Sequence, residues 1–405
     1  MKELVVSLVG VSAGRLVKKD NGNLQFRYDE GYSGPPISYA MPVQAEAHPH
    51  RLCQAVFGGL LLEGDGRATL ARALGVSANN DFGLLEEVGR DVAGAVAVLE
   101  TDEIVPVSPE VRRVDADELD QLLRRLPQRP LAADPSEGIR LSLAGAQPKL
   151  PIILDAGGAA LPINAAAPTT HILKPEPEAF PGLVDNEWYC MALAAAVGLR
   201  VAEIRKAVSV SGLPYLVVER YDRDQTAGPI RRLHQEDFCQ ALGVPSAFKY
   251  QAEGGPGVGD AITLLRGATA APAVELPRFW DALVFNWLIG NCDAHGKNFS
   301  LLYDAGAPGL APLYDLVSTV VYPDLVTRLA MSIDGATQIA EVDDKAWSAL
   351  ASQVGVRSDF AAEAVGRIAG RAADAAERVA VEQDTDVAKE IAERVVSLAS
   401  GASGA

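Results

Sequence analysis

The sequence predicts an α+β chain with two lobes, the second an all-helical C-terminal lobe, behind an extra N-terminal α+β subdomain. Three observations carry this. Short strand-like runs and two helical patterns share the first 125 or so residues. From Ile139 to Tyr221 the texture is strand-like around a single helix. Beyond Tyr221 the apolar spacing turns helical and stays so. The expected divisions are 1–125, 126–221 and 222–405.

Each element has its own signal. The start, MKELVVSLVGVSAGRL, reads as a strand near Leu4–Val9 and not as a secretory leader. Glu3 interrupts its charged end, and the apolar stretch runs into a hairpin pattern turning at Asn21-Gly22. Further strands fall near Arg15–Lys18 and Leu24–Tyr28, and helices near His50–Leu62 and Arg67–Leu74. Phe82–Val98 passes from helix to strand across glycines, and Pro127 to Gly138 reads as a linker or ordered loop. Strands follow at Lys149–Leu154, Thr170–Lys174, Ala207–Val210 and Tyr215–Glu219, with a helix Asn186–Val197 ended by Gly198. His234-Gln-Glu-Asp237 resembles a helix start with acidic residues in its first turn, a structural role. Phe279, Leu283, Val284, Trp287 and Leu288 form an apolar helical stripe leading to a polar loop at Asp293. Asp359–Gln383 and Asp386–Leu398 read as amphipathic helices before a frayed Ala/Ser/Gly tail.

Composition narrows the function classes. With 405 residues, 48% apolar and 22% charged, the chain is expected to be globular with more than one core. A formal charge of −17 argues against a protein that coats DNA, which needs clustered Lys and Arg. Cys53, Cys190, Cys239 and Cys292 lie far apart with no C-x-x-C pair, which fits a reducing cytoplasm better than a disulfide framework. No apolar run approaches the ~20 residues that span a bilayer, so a cytoplasmic protein with no membrane role is expected.

The polar loop carries the chemistry. Asp293-Ala-His-Gly-Lys-Asn298 has the D-x-x-x-x-N spacing of a protein-kinase catalytic loop. There the Asp accepts the proton of the attacking hydroxyl and the Asn holds magnesium. Phe299–Tyr303, a turn at Asp304 to Gly309, and Leu310–Leu313 read as a hairpin that delivers a second metal-binding carboxylate, Asp315. Lys297 is placed to reach the transferred phosphate, while His295 is expected to order the loop.

Upstream, Ser142-Leu-Ala-Gly-Ala-Gln-Pro-Lys149 has almost no bulk at Ala144-Gly145-Ala146. Backbone N–H groups there can approach phosphates, although neither standard phosphate-loop pattern is present and a small-residue turn reads equally well. Lys174 ends a strand before Pro175, where a nucleotide-directed lysine belongs, and Glu187 opens the next helix as a possible partner for it. Glu219-Arg220-Tyr221 marks the change from strand-rich to helix-rich sequence, the place of a hinge that meets adenine. These parts follow one another in the order a protein-kinase-like fold requires.

The blocks SLAGAQPKL, THILKP, NEWYCMALAAAVGL, VVERYD, HQEDFCQALG, GNCDAHGKNFSLL and APLYDLVST resemble, in order, those of the HipA family of bacterial toxin serine/threonine kinases. LLLEGDGRATLARAL and LLEEVGRDVAGAV extend the resemblance to the N-terminal part of the full-length form. The resemblance implies ATP and Mg2+ as cofactors, Asp293 as base, and Asn298 and Asp315 as metal ligands. It implies ATP phosphates on Lys174 and on a loop of Ala144, Gly145, Ala146, Gln147 and Lys149, with adenine at Glu219, Arg220 and Tyr221. Ser142 matches the serine that family members autophosphorylate, which is thought to expel the loop and silence the enzyme. Pro148 departs from the family pattern, where an acidic residue stands. It removes a donor and stiffens the loop, which puts that switching in doubt. The implied partners are a small helix-turn-helix antitoxin, DNA only indirectly through it, and an aminoacyl-tRNA synthetase as protein substrate. A small-molecule kinase and a non-catalytic co-repressor bridging antitoxin dimers are the alternatives.

Overall fold

The structure, a computed structural model, describes residues 2–100, 108–132, 142–145, 147–164, 166–226, 228–304 and 308–402. The chain divides into two compact units, one formed by 1–177, 205–247 and 302–304, the other by 178–204, 248–301 and 305–405.

The first unit holds two larger sheets and a strand pair, Arg223–Asp224 with Arg231–Arg232. Lys2–Leu8 (β1), Val11–Lys18 (β2), Leu24–Tyr28 (β3) and Val96–Glu100 (β4) make a sheet of order β3-β2-β1-β4. Its inward residues Leu4, Val6, Leu16 and Phe26 bury against Leu60, Leu84 and Leu85 from the helical segments Gly58–Leu60 and Asp81–Val88, and against Phe57, which joins His50–Val56 to Gly58–Leu60. Burying a side chain of this size stabilises by about 1.5–3 kcal/mol, so this subdomain has a core of its own. The expected helix over His50–Leu62 is a shorter helix followed by a single tighter turn.

The second sheet contains Val111–Val114 (β5), Leu150–Asp155 (β6), Gly158–Pro162 (β7), His171–Pro175 (β8), Ile204–Val208 (β9) and Pro214–Glu219 (β10). Its order is β5-β7-β6-β8-β10-β9. Neither β5 and the helix Ala116–Arg125, which lie inside the expected 1–125 division, nor β7 was anticipated. Val114 and Leu123 pack with Leu150, Ile152, Leu173 and Val217 of the sheet, which is where both elements find their core. The helix is capped by Asp115, whose side chain accepts from Glu118 N–H, so a capping signal was present in the sequence. The expected Pro127–Gly138 linker shows one short helical turn, Pro130–Ala132, before it leaves the described residues.

His234–Asp237 is a strand and not a first helical turn. Asp237 instead caps the short helix Phe238–Ala241, accepting from Gln240 N–H while Gln240 Oε1 accepts from Asp237 N–H. The acidic residues therefore precede the helix and do not lie inside it.

The second unit is mainly helical: Leu183–Ala196, Val258–Ala268, Pro272–Ile289, Asp344–Gln353, Ser358–Gln383 and Asp386–Ala402. The stripe foreseen on Pro272–Ile289 is buried, and its Trp280 stacks against Trp347 at 5.8 Å between ring centres. Ser358–Gln383 packs along four other helices with a face of Ala361, Ala364, Ala372 and Ala376, small enough to let helix axes approach closely. A strand pair, Arg328–Ile333 with Ala336–Gln338, is added to this helical lobe. The last helix runs to Ala402, beyond the expected end at Leu398. All four cysteines are buried and none is in a disulfide. Among the described residues no helix is long and apolar enough to cross a membrane.

Candidate active site

In the second unit, the helix Pro272–Ile289 ends at Gly290 with φ +79°, and a short polar stretch leads to Asp293. Each residue of that stretch is tied. Asn291 Nδ2 donates to Asn286 Oδ1 at 2.7 Å, and Asn291 Oδ1 accepts from Asp293 N–H at 3.0 Å. Cys292 N–H donates to Thr319 Oγ1 at 2.9 Å, and Cys292 O accepts from Ala330 N–H at 2.9 Å. The backbone is thus fixed while the Asp293 carboxylate stays exposed. Its Oδ1 accepts from the Tyr250 hydroxyl at 2.7 Å.

The turn after Asp293 closes on itself. His295 N–H reaches Asp293 O at 2.8 Å and Asn298 Oδ1 at 3.2 Å, so His295 orders the loop through its backbone. Tyr314 then links the two metal-ligand candidates through their chain neighbours. Its hydroxyl donates to Lys297 O at 2.7 Å and lies 2.7 Å from Ser300 Oγ, which brackets Asn298 from the residue beside Asp315. Asp315 itself has φ +53°, a sparsely populated conformation for a residue with a Cβ. Such strain survives only where the surroundings over-determine it, and it often accompanies function. Nearby, Asn186 and Ser318 exchange two hydrogen bonds, 2.9 and 2.8 Å, that anchor the segment after Asp315. Lys297 is buried.

An amide oxygen and a carboxylate are hard donors of the kind magnesium takes, with substrate phosphates and water completing the shell. Among the described residues no group of three or more His, Cys, Asp or Glu could hold a metal, so an ion held by Asn298 and Asp315 would need phosphate and water to complete its shell.

The residues expected to meet nucleotide, apart from Lys297, lie in the first unit. Lys174 is buried on β8, a central strand, opposite Leu216 of β10. Ser142 is fully buried, its N–H donating to Asp91 O at 3.0 Å and its Oγ to Leu60 O at 2.9 Å. Leu143 sits in the core of the N-terminal subdomain. Gly145 bridges to Leu62, and Gly145 O accepts from Glu63 N–H at 3.3 Å. Lys149 Nζ folds back onto Ala144 O at 2.6 Å. Gly145 has φ +106°, a backbone conformation that favours glycine, and a Cβ there would also displace the Lys149 ammonium, 2.5 Å away. Gln147 Nε2 is buried with no hydrogen-bond partner among the described residues, a donor a phosphate oxygen would satisfy. Ala146 lies outside the described residues.

At the end of β10, Glu219 accepts from Gln225 Nε2 at 3.2 Å, and the Tyr221 hydroxyl bonds Gln235. The Arg220 side chain turns inward. It joins Asp222 at 2.8 Å, while Asp91 holds Arg223 at 2.8 Å and Arg232 at 2.9 Å. Asp91 also accepts from Thr169 N–H and Oγ1 at 2.9 and 2.7 Å. Burial alone would raise the Asp91 carboxyl, but Arg232, Arg223 and Arg220 hold it well below the usual carboxylate range. Glu187 and Lys174 are both buried and belong to different units.

Tyr250, Tyr314, Asn291 and Asp91 were not foreseen. Tyr250 is 43 residues from Asp293 with no shared motif, whereas Asn291 and Tyr314 lie within two residues of Asp293 and Asp315, where a local signal could have pointed.

Residues 141–377 match the HipA-like C-terminal domain, and residues 4–99 match the HipA N-terminal domain. The chain is 45% identical over 381 residues to Y4mE of Sinorhizobium fredii, covering 91% of this chain and 90% of that one. It is 32% identical over 327 residues to the serine/threonine-protein kinase toxin HipA of Shewanella oneidensis, covering 78% and 74%. The solved Shewanella oneidensis complex of HipA, HipB and operator DNA contains a chain that aligns with TM-score 0.85 and 26% identity over 97% of this chain and 96% of that one. The chain thus has the HipA kinase-like fold, with its N-terminal α+β subdomain.

Proposed function

The chain belongs to the HipA family, and we propose that it is an ATP- and magnesium-dependent serine/threonine protein kinase, the toxin of a type II toxin–antitoxin pair. The observation that carries this reading is the Asp293 loop: an exposed carboxylate on a braced backbone, five positions before Asn298, with Tyr314 joining that turn to the residue before Asp315. In this reading Asp293 takes the proton of a serine hydroxyl as that oxygen attacks the γ-phosphorus of ATP. The bond from phosphorus to the bridging oxygen breaks and its electrons leave with ADP. Asn298 and Asp315 hold magnesium, which when bound neutralises charge on the phosphates. Lys149, Lys174, Lys297 and the Ala144–Gln147 loop hold those phosphates. The Arg220 side chain is committed to the buried ion cluster and its N–H to Thr170 O, so adenine falls to the backbone of Glu219 and Tyr221.

The proposed divisions are 1–125, 126–221 and 222–405. By analogy with the Shewanella complex, the partner is a small helix-turn-helix antitoxin that carries the contact with DNA. An aminoacyl-tRNA synthetase is the proposed target on family resemblance, and Ser142 the site of autophosphorylation. Because Ser142 is fully buried here, its modification requires the loop to leave its seat, and Pro148 bears on how readily it does so.

The test is intact mass and phosphopeptide mapping after incubation with Mg-ATP, for wild type, Asp293→Asn and Ser142→Ala. One phosphate on wild type, located at Ser142 and absent from both variants, is expected. Binding of a helix-turn-helix partner with no ATP turnover would favour the co-repressor reading. Transfer to small alcohols with Ser142 unmodified would favour a small-molecule kinase.

A further inference from the structure

Among the described residues, the carboxylate of Asp293 has one hydrogen-bond donor, the Tyr250 hydroxyl on Oδ1 at 2.7 Å, and Oδ2 accepts none. Tyr250 stands on a turn that is itself anchored. Its carbonyl accepts from Glu253 N–H at 3.0 Å and Gly255 N–H at 2.9 Å. The next residue, Gln251, takes both Ser332 N–H at 2.7 Å and Ser332 Oγ at 3.1 Å on its Oε1. The phenol ring meets His295 edge-on, 5.2 Å between centres at 77°, and Lys249 Nζ lies 5.4 Å over its face. All these residues belong to the second unit.

A carboxylate on a free χ2 axis rotates, so either oxygen can face the acceptor and neither is held there. A fixed donor on one oxygen removes that freedom and leaves the other for the incoming hydroxyl. Holding a base in near-attack geometry is where much of its catalytic effect comes from. The anchored turn makes Tyr250 a standing partner of the base and not a transient one.

We propose that Tyr250 is the positioning residue of the catalytic base: its hydroxyl fixes Asp293 by Oδ1 so that Oδ2 receives the acceptor proton. The proposal rests on the kinase reading and adds a residue to it. Transfer proceeds as written above, with the proton moving from the acceptor hydroxyl to Oδ2 while Tyr250 keeps its own proton and its bond to Oδ1.

The experiment uses the full chain with Mg-ATP and dephosphorylated casein as acceptor, reading phosphate transfer and ADP release together. Tyr250→Phe retains the ring against His295 and removes only the hydroxyl. We expect kcat to fall by about ten-fold or more, the equivalent of one hydrogen bond to a charged group, while KM for ATP stays within about two-fold. In the Asp293→Asn background the same change should alter the residual rate by less than about two-fold, because its effect passes through the carboxylate. A melting midpoint equal to that of wild type accompanies the expected result. Wild-type kcat in Tyr250→Phe, or full multiplication of the two effects in the double variant, would overturn the assignment. A wild type that releases no ADP and labels no protein is the separate failure of the kinase reading, visible before any variant is made, and the assignment falls with it.

Discussion

Gly290 is the smallest residue on the path to Asp293 and among the hardest to replace. Its φ of +79° is open to glycine, and a Cβ would meet Val320 Cγ2 at 2.3 Å and Arg394 Nε at 2.8 Å. Gly290→Ala therefore combines backbone strain with a clash and should destabilise the chain by about 1–3 kcal/mol, read from urea unfolding. A variant as stable as wild type would mean that the turn relaxes without loss. At this scale legibility follows chemistry. Asp293 and Asn298 stand out as candidates because the proposed phosphate transfer demands two polar residue types at a set spacing on one loop. Tyr250 could not, since it meets Asp293 only after the intervening helices Val258–Ala268 and Pro272–Ile289 have folded. Ser142 was legible as a position but not in its burial, which depends on Leu60 and Asp91 from a different stretch of chain.

Elements set the stability. The charged cluster around Asp91 ties the segment between Asp81–Val88 and β4 to the ends of β8 and β10 through Thr169, Arg220 and Arg223. Asp91→Ala would leave the buried Arg220 and Arg223 and the part-buried Arg232 with Asp222 as their remaining carboxylate, a loss of about 3–5 kcal/mol by comparison with other broken buried pairs. A shift in the urea midpoint checks this, and a loss below about 1 kcal/mol would show that Asp222 alone balances the cluster. Glu236, on the His234–Asp237 strand, behaves differently. Burial pushes its carboxyl up to about 7, against hydrogen bonds from Ser38, Tyr303 and Tyr39 that favour the charged form. Below the ordinary value of 4.5 both folded and unfolded chains hold the proton. Between 4.5 and about 7 only the folded chain does, so stability falls as pH rises through that window and levels off above it. The Glu236 contribution is expected to be roughly 3 kcal/mol, and Glu236→Gln should flatten it in urea titrations from pH 4 to 8. Periodicity located β3, β8 and β10 to within a residue or so, because each carries alternating or continuous apolar side chains. It missed β5, VRRV, whose adjacent arginines break the apolar alternation of a strand at the sheet edge.

For the molecule as a whole, charge and metal give the clearest expectations. A chain of −17 should bind duplex DNA only weakly when alone and be recruited to it by a basic partner, which a mobility-shift titration with each protein separately would test. Chelation of magnesium should abolish phosphate transfer and leave the melting temperature unchanged, since the described residues form no closed metal cage on which folding could depend. The overall class was readable because strand-rich and helix-rich stretches are separated along the chain, whereas the way the second unit gathers Leu183–Ala196 with the C-terminal helices leaves no mark in local sequence. The seat of Ser142 has one more consequence. If the enzyme can silence itself only when that serine leaves its place beside Leu60, the pace of silencing is governed by how often the seat empties and not by how fast phosphate moves. The kinase would then run on a timer whose setting is a local opening free energy. Traces of urea far below the unfolding midpoint should shorten its active lifetime before they touch its structure.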